Sequence, residues 1–304
     1  MPTKPQRIIV AINPTASFGR RRSVGPAVVE ALRGAGYEVT ALTEPSLEAL
    51  VGEARKALLS RPDALVVVGG DGMVNLGTNL VAGTAVPLGI VPSGTGNDTA
   101  RALGIPHNNE ERAIRTLLEA LTRPPRVIDA GLIHRFDGGT TWFACTVSAG
   151  FDAVVNERAN RMHWPRGPIR YNLAMLIELA VLRPISYRLV LDGVESTTTG
   201  VLISVGNGVS LGGGMKITPN ALIDDGMLDV LVVEHLTRVQ FLRIFPRVFS
   251  GTHLTDPRVT VRRAKRITID ADAVAAYADG ERVGSLPIEI EVVPGALRVL
   301  APLP

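Results

Sequence analysis

ALVVVGGDGMVN, residues 64–75, is a short apolar run that ends at two glycines and an acidic residue. The β-branched run 64–68 is typical of a buried parallel strand. A strand that breaks at glycines and continues into a helix presents bare amides at the positive end of that helix, where phosphate binds. The carboxylate of Asp71 suits such a loop only if it holds a metal, orders the loop or meets a hydroxyl. The stretch therefore predicts a nucleotide-handling enzyme.

Outward from this stretch, strand and helix patterns alternate through residues 1–125. Strands separated by helices imply a parallel sheet with right-handed crossovers. A second glycine-rich loop, PSGTGND at 92–98, follows the predicted strand 87–91. Ligands bind beyond the carboxyl ends of such strands, where both loops fall. The other predicted strands are 7–13, 39–43 and 64–68, and the predicted helices are 24–34, 47–59, 73–82, one from near Asp98, and 110–121.

After Arg126 the pattern changes to short strand-type runs punctuated by Gly, Asp and Pro, which is typical of antiparallel structure. Two segments interrupt it, a mixed one at 151–182 and an amphipathic one at 236–249. The runs are 127–134, 141–149, 187–192, 200–206, 228–233, 259–261, 266–270, 275–278 and 288–292. We predict an α/β fold with a parallel-sheet nucleotide-binding domain at 1–126 and a mainly antiparallel β-sandwich domain at 127–304. The final strand, 296–300, is free to return to the first domain.

The composition excludes several classes of protein. The 304 residues favour two domains, and 46% hydrophobic with 20% charged residues is ordinary globular composition. Only 4% are aromatic, which argues against a nucleic-acid partner bound by base stacking. The uncharged span 72–97 is interrupted by glycines and prolines, so we expect no transmembrane segment. A net charge of +3 with a pI near 9.3 is compatible with an acidic small molecule or an anionic membrane surface.

Targeting and cysteine signals favour a cytoplasmic protein. Residues 1–6 lack the apolar core of a signal peptide. The single cysteine, Cys145, cannot form an intrachain disulfide, which fits a reducing compartment. Its apolar neighbours predict an inert thiol in a buried strand.

The widespread nucleotide signatures are absent from the chain. There is no G-x-x-x-x-G-K-[ST] sequence, and Thr99 stands where the dinucleotide fingerprint needs its third glycine. GGDGMVN and PSGTGNDTARALGIP, preceded by INPTASFG at 12–19, instead closely resemble the catalytic domain of the diacylglycerol kinase family. That family includes bacterial lipid kinases and sphingosine kinases and is distantly similar to NAD kinases and phosphofructokinases. The resemblance covers nearly the whole chain, continuing in SVGNG at 204–208, GGG at 212–214, PNALIDDGMLDV at 219–230 and ADGE at 278–281.

The resemblance implies that ATP lies between the domains with its phosphates over the first glycine loop. Loop amides and small hydroxyls can surround a triphosphate without clashing; the alternative is that the glycines only permit a tight turn. Met73 replaces the family's usual Thr, and the hydroxyl lost there weakens one phosphate contact while the backbone donors remain; Ser17 replaces a usual Gly, and neither change should abolish binding. The positions carried over as ATP contacts are Asn13, Pro14, Thr15, Ala16, Ser17, Thr43, Gly69, Gly70, Asp71, Gly72, Met73, Val74, Asn75 and Thr95.

The resemblance also implies a magnesium ion at Asp225, helped by the carbonyls of Leu222 and Met227. One carboxylate with carbonyls and waters is reasonable for Mg²⁺. Asp224 remains an alternative ligand, and a plain β-turn is an alternative for the whole Asp-Asp-Gly sequence.

Three carboxylates are the predicted catalytic residues. Glu281 matches the family's proton acceptor, which would orient the attacking hydroxyl and take its proton; an exposed Glu beside a hairpin turn is the alternative. Asp71 and Asp98 would link hydroxyl, magnesium waters and phosphate, with separate roles that the sequence does not assign.

Several basic and apolar groups are candidates for contact with lipid. Arg20, Arg21 and Arg22 follow the first loop, where one of them would reach the triphosphate or all three would form the solvated start of a helix. The apolar segment 171–182 is core by default and the wall of an acyl-chain groove by the sharper hypothesis. Two basic groups would face anionic lipid or simply be solvated: Arg258, Arg262, Arg263, Lys265 and Arg266, and Arg158, Arg161, Arg166 and Arg170 around Trp164.

The sequence thus predicts a cytoplasmic enzyme that moves the γ-phosphate of ATP, with Mg²⁺, to a lipid hydroxyl, first of all diacylglycerol. It would meet this lipid at the membrane surface as a peripheral protein, and family analogy allows a homodimer. The alternatives are an NAD-kinase-like activity on a soluble acceptor and a nucleotide-sensing protein without transferase activity.

Overall fold

The computed structural model describes residues 6–13, 24–162, 164, 173–174, 177–178 and 184–303. It divides the chain into two compact units. The first comprises Met1–Ala130 and Pro294–Pro304, and the second comprises Gly131–Val293. No helix of the described ranges has both the length and the apolar character needed to cross a membrane.

The first unit is a parallel sheet with helices on its faces. Strand order is β2-β1-β3-β4, all parallel, and Val299 and Leu300 of β15 add a fifth parallel strand beside β4. The last strand therefore returns to the first unit. Its elements are β1 (Arg7–Ile12), α1 (Val24–Gly34), β2 (Glu38–Leu42), α2 (Leu47–Leu58), β3 (Ala64–Gly69), α3 (Asp71–Val81), β4 (Leu88–Pro92), α4 (Asp98–Ala102), α5 (Glu110–Leu121) and the end of β15 (Ile288–Leu300).

Strand β3 is buried along its whole length because helices cover both faces of the sheet. Val66 packs on one face in a core that α1 and α5 complete with side chains such as Leu117. On the other face α3 comes close to β3: a Cβ added to Gly77 would lie 2.9 Å from Val67 Cγ1 and 2.6 Å from Leu88 Cδ1. This close packing fixes the direction in which α3 leaves the first glycine loop.

The second unit is mainly antiparallel. Strand β9 is central, with β7, β8 and β10 all antiparallel to it. The hairpin β13–β14 joins through β7, and β12 joins through β8. Its elements are the second half of β5 (Arg126–Arg135), β6 (Thr140–Phe143), β7 (Thr146–Gly150), α6 (Phe151–Arg161), β8 (Ile185–Leu191), β9 (Val194–Gly206), β10 (Leu228–Glu234), α7 (Arg238–Ile244), the 3₁₀ turns Phe245–Val248 and Thr252–Thr255, β11 (Val259–Ala264), β12 (Arg266–Asp270), β13 (Ala275–Ala278), β14 (Glu281–Ser285) and the first half of β15.

Buried side chains on the two faces of the strands form two separate apolar clusters in this unit. In β10, Val230 belongs to one cluster and Leu231 to the other, because successive strand side chains point to opposite faces. The second cluster is completed by α6 and α7, with Phe151 and Phe241 in contact at a ring separation of 4.7 Å.

The predicted fold class, a parallel sheet followed by mainly antiparallel strands, is confirmed. Helices 24–34 and 110–121 have the predicted ends, whereas α3 begins at Asp71 instead of residue 73, because Gly70 caps it. The amphipathic segment 236–249 forms α7 and a 3₁₀ turn. The mixed segment 151–182 begins with α6, and its rest lies almost wholly outside the described residues.

The predicted single strand 141–149 was wrong. It is two strands, β6 and β7, interrupted at Ala144 and Cys145. The physical reason is the buried carboxylate of Asp279, which accepts the backbone amides of Ala144, Cys145 and Thr146 in place of a neighbouring strand. Cys145 is buried as predicted, but in this break and not in a strand.

Candidate functional site

The carboxyl edge of the parallel sheet brings together residues that are far apart in sequence. Asn13 follows β1 and donates its amide to Val68 O at 3.1 Å. Ser93 follows β4 and donates its amide to Gly69 O at 2.8 Å. Thr43, exposed, follows β2 at the same edge. The described members of the predicted ATP set therefore converge here, whereas Pro14, Thr15, Ala16 and Ser17 lie outside the described residues.

The two glycine loops pack backbone against backbone. A Cβ placed on Gly70 would lie 3.0 Å from Gly94 Cα, and one on Gly94 would collide with Gly70. Asn97, in the left-handed conformation at φ 56°, closes the second loop by accepting Gly94 N at 3.1 Å and donating to Gly94 O at 3.0 Å. Space therefore requires glycine at position 94, beyond what a tight turn needs, and a side chain at position 70 would force the second loop to shift by a few tenths of an ångström.

Asp71 connects the two loops. Its Oδ2 accepts the amide of Asn97 at 2.8 Å and its Oδ1 accepts the amide of Asp98 at 2.7 Å. Burial, and then the nearby charge of Asp98, raise the pKa of Asp71 above its ordinary value. Of the roles open to this acidic residue, the observed one is to order the second loop.

The start of α3 offers amides to an anion. The amides of Met73 and Val74 donate to Gly70 O at 3.0 and 3.2 Å, so they are used by the helix itself. Those of Asp71 and Gly72 precede the first i→i−4 hydrogen bond and suit a phosphate oxygen. The Met73 side chain is buried, so the hydroxyl it replaces would be remote from a ligand on the exposed side of this loop.

In the second unit, Glu281 stands at a hairpin turn. Asp279 and Gly280 both have positive φ, 47° and 86°, as a two-residue hairpin turn requires. Asp279 is anchored by the amides of the β6–β7 break and donates its own amide to Thr146 O at 2.9 Å. Glu281 is the exposed first residue of β14, and within the described ranges its side chain has no hydrogen bond or ion pair. Sequence reasoning missed the anchoring role of Asp279, although Asp-Gly between strand-like runs signals the turn.

The predicted magnesium residues lie on the loop before β10. Asp225 Oδ1 accepts the amide of Met227 at 3.1 Å, and Oδ2 is ion-paired with Arg263. Arg263 also lies 3.9 Å from Asp229, whose pKa is raised by burial and lowered in part by that arginine. No cluster of three or more His, Cys, Asp or Glu that could hold a metal occurs in the part of the chain described. Oxygen donors of this type fit Mg²⁺ if waters complete its shell and Arg263 shares the carboxylate.

The second unit also contains an apolar cavity of about 70 Å³. The faces of β9 and β10 form one wall, and α7 with the turn after it forms another. Phe241 and Phe245, which line that second wall, stack at a ring separation of 5.6 Å. Phe249 lies outside the cavity lining and meets the edge of Phe245 at 6.0 Å. A dry cavity of about 150 Å³ binds benzene, so this one admits an apolar chain only if its wall moves.

The chain thus consists of a parallel-sheet unit with paired glycine loops and an antiparallel β unit that follows it in sequence. Comparison with known proteins identifies this combination as that of a kinase class. Residues 7–130 match the family described as "Diacylglycerol kinase catalytic domain", and 145–301 match "YegS C-terminal NAD kinase beta sandwich-like domain". A Diacylglycerol kinase of Mycobacterium tuberculosis is 38% identical over 297 residues, 97% of this chain and 95% of that one. The chain belongs to the diacylglycerol kinase family, which confirms the resemblance carried by its motifs.

More distant relatives agree in fold. A Diacylglycerol kinase of Bacillus subtilis is 26% identical, with 98% of this chain and 97% of that one covered. A crystal structure of a diacylglycerol kinase from Bacillus anthracis superposes with a TM-score of 0.74 at 22% identity, covering 99% and 98% of the two chains. An Archaeoglobus fulgidus NAD kinase in complex with ATP gives 0.55 at 15% identity, covering 97% and 93%.

Proposed function

We propose that this kinase transfers the γ-phosphate of ATP to the free hydroxyl of diacylglycerol, giving phosphatidate and ADP. The observation that carries the proposal is the pair of glycine loops held together by Asp71, at the start of α3, where amides that precede the first i→i−4 hydrogen bond suit a phosphate. The lipid acceptor is supported by the relatives named diacylglycerol kinase and by the apolar cavity of the second unit.

In the proposed reaction the lipid hydroxyl oxygen forms a bond to the γ-phosphorus, and the bond from that phosphorus to the β,γ-bridging oxygen breaks. Glu281 takes the hydroxyl proton, and the electron pair of the broken bond leaves with ADP. Because phosphoryl transfer is mostly positioning and charge stabilisation, the amides at the start of α3 supply the protein's contribution at the phosphates. Asp71 keeps the second loop in place, so that Thr95 and Asp98 stay beside the first loop.

The carboxylate of Asp225 and the carbonyls of Leu222 and Met227 would hold the magnesium ion in this proposal. When bound, Mg²⁺ would neutralise charge that develops on the phosphate oxygens. Arg263 holds Asp225 in its present orientation and is the cation with which the metal shares that carboxylate. Since diacylglycerol resides in bilayers, we further propose that the enzyme acts in the cytoplasm as a peripheral protein at the membrane surface.

The test is transfer of radiolabelled γ-phosphate from ATP to a panel of acceptors: diacylglycerol, monoacylglycerol and sphingosine in mixed micelles, and soluble NAD. Label in phosphatidate, lost in Asp98→Asn and retained in the exposed control Asp272→Asn, is the expected result. Label in NAD alone would replace the lipid kinase with a soluble one. ATP binding without transfer to any acceptor would leave a nucleotide sensor.

A further inference from the structure

The segment 237–255, called the cap segment here, has an inner face that closes the apolar cavity. It comprises α7 and the two 3₁₀ turns that follow. Phe241, Ile244 and Val248 are buried and line the cavity from this side. Thr237 caps the helix with a complete capping box to Gln240, so the start of the segment is well defined.

The outer face of the same segment is also apolar, although it faces solvent. Val239, Leu242 and Phe249 are 58%, 55% and 52% exposed. Val239 and Leu242 are three residues apart in α7 and share one face of it. Phe249 stands edge-on to Phe245, at a ring separation of 6.0 Å. Exposed apolar side chains grouped in this way mark a surface that binds something apolar.

The charged side chains of the segment itself are all basic; the exposed Glu234 precedes it, and Asp256, which is paired with Arg258, follows it. Arg238 and Arg243 are exposed, and residues 236–255 contain no Asp or Glu. The amide of Lys216, whose side chain is exposed, donates to Val248 O at 3.0 Å, which places a further cation beside the segment. Within the described ranges, neither Arg238 nor Arg243 forms an ion pair. An apolar strip with exposed cations is complementary to an anionic lipid surface.

Several of the arginines predicted from sequence to face lipid are ion-paired, whereas Arg262 and Lys265 are exposed and form no ion pair with a described residue. Arg258 is paired with Asp256 at 2.8 Å, Arg266 with Glu291 at 3.4 Å, and Arg263 with Asp225. In the other group Arg158 is paired with Glu178 and Arg161 with Glu157, while Arg166 and Arg170 lie outside the described residues. The cap segment combines exposed cations with exposed apolar side chains and is therefore the better candidate for lipid contact.

We propose that the outer face of the cap segment is the surface by which this protein docks on bilayers containing anionic phospholipid. Val239, Leu242 and Phe249 enter the headgroup boundary, and Arg238, Arg243 and Lys216 meet the lipid phosphates. Because the inner face of the same segment closes the apolar cavity, docking would place this wall of the cavity against the bilayer that holds the lipid substrate. This last step rests on the proposed function; the docking does not.

The first arm of the test is sedimentation of the protein with vesicles. One set is equimolar phosphatidylcholine and phosphatidylglycerol, and the other is phosphatidylcholine alone. Wild type is expected to bind the anionic set more tightly. The double variant Arg238→Glu/Arg243→Glu should bind it at least about 30-fold more weakly, since each lost cation is worth a factor of about five. Leu242→Ser/Phe249→Ser should weaken binding about tenfold.

Matched controls come from the first unit. Arg112→Glu/Arg115→Glu makes the same charge change on the exposed face of α5, and Leu59→Ser removes an exposed apolar side chain. Both are expected to bind vesicles within about threefold of wild type: the arginine variant alters only long-range charge, and Leu59→Ser alters no charge and lies outside the cap segment. Equal losses in the control and cap-segment variants would overturn the proposal.

The second arm separates docking from catalysis. Phosphate transfer to dioctanoylglycerol in non-ionic micelles should be unchanged in the cap-segment variants, since the surface is not part of the phosphate site. A wild type that binds vesicles through the cap segment but transfers no phosphate would support docking and refute the proposed function. Vesicle binding unaffected by both double variants, or a dimer that these variants dissociate, would overturn the docking surface.

Discussion

Asp279 holds the hairpin that carries Glu281, so replacing it tests how the structure positions its proposed proton acceptor. Oδ2 accepts the amide of Ala144 at 2.8 Å, and Oδ1 accepts those of Cys145 and Thr146 at 3.0 and 2.9 Å. All three interactions are buried, so water does not readily replace the carboxylate. The change should therefore reduce stability and displace Glu281 together.

The magnitude follows from counting these groups. A buried amide without an acceptor costs about 1–2 kcal/mol. Alanine in the left-handed conformation that Asp279 adopts, φ 47°, costs about 1–2 kcal/mol more. Asp279→Ala should thus lower the free energy of unfolding by about 4–8 kcal/mol, a large share of the 5–15 kcal/mol of a typical protein. Asp279→Asn keeps one acceptor oxygen and tolerates that conformation, so its cost should be about 1–3 kcal/mol.

Urea unfolding followed by circular dichroism measures the free energies, and amide hydrogen exchange at Ala144, Cys145 and Thr146 reports the local hydrogen bonds. Asp272→Asn, an exposed carboxylate between β12 and β13, is the control and should lie within about 0.5 kcal/mol of wild type. For Asp279→Asn, kcat should fall while ATP affinity is kept. Wild-type stability and wild-type amide protection in Asp279→Asn would refute the reasoning.

Three further predictions concern the loops and the metal residues. The pKa of Asp71 in the folded protein lies above its ordinary 3.8, so its contribution to the free energy of unfolding is fully present below pH 3.8 and is lost as the pH rises through the raised pKa. Urea titrations should therefore show the free energy of unfolding of wild type falling over this pH range relative to that of Asp71→Asn. Gly94→Ala should lower the free energy of unfolding by about 1–3 kcal/mol and weaken ATP binding, because its Cβ would collide with Gly70. Gly34→Ala places its Cβ in open space and should change neither; equal thermal unfolding of the two variants would contradict this. Arg263→Gln should tighten Mg²⁺ binding up to about fivefold by calorimetry, because it frees Asp225, and weaker binding would count against the site.

The parallel sheet and its glycine loops were predictable because their determinants are local. The β-branched run before Gly69, the break at Gly70 and the helix after it follow each other in sequence. The contacts that complete the loops are not local: Asp71 accepts amides 26 and 27 residues away. The sequence alone showed that a carboxylate in a phosphate-binding loop must have a binding partner. That the partners of Asp71 are the amides of Asn97 and Asp98 follows only from the packing of Gly70 against Gly94.

The second unit was harder to predict for the same reason. Asp279 and the break at Ala144 are 135 residues apart, and no local pattern reports such a contact. Strand β14 was missed because only Val283 in its middle is buried among charged and small residues. Two separate strands were predicted at 288–292 and 296–300, yet β15 is continuous through Pro294 and Gly295, with Gly295 at φ 64° donating its amide to Asp129 at 2.8 Å.

The proposed function depends on Glu281, whose position follows from the hairpin that Asp279 anchors. The most direct measurement is the kcat for phosphate transfer to diacylglycerol in Glu281→Gln, beside Glu289→Gln, an exposed glutamate of β15. The account predicts a loss of about 10²–10⁴ in kcat for Glu281→Gln with ATP affinity unchanged, and wild-type rates for the control. Wild-type turnover in Glu281→Gln would contradict the assignment of the proton acceptor.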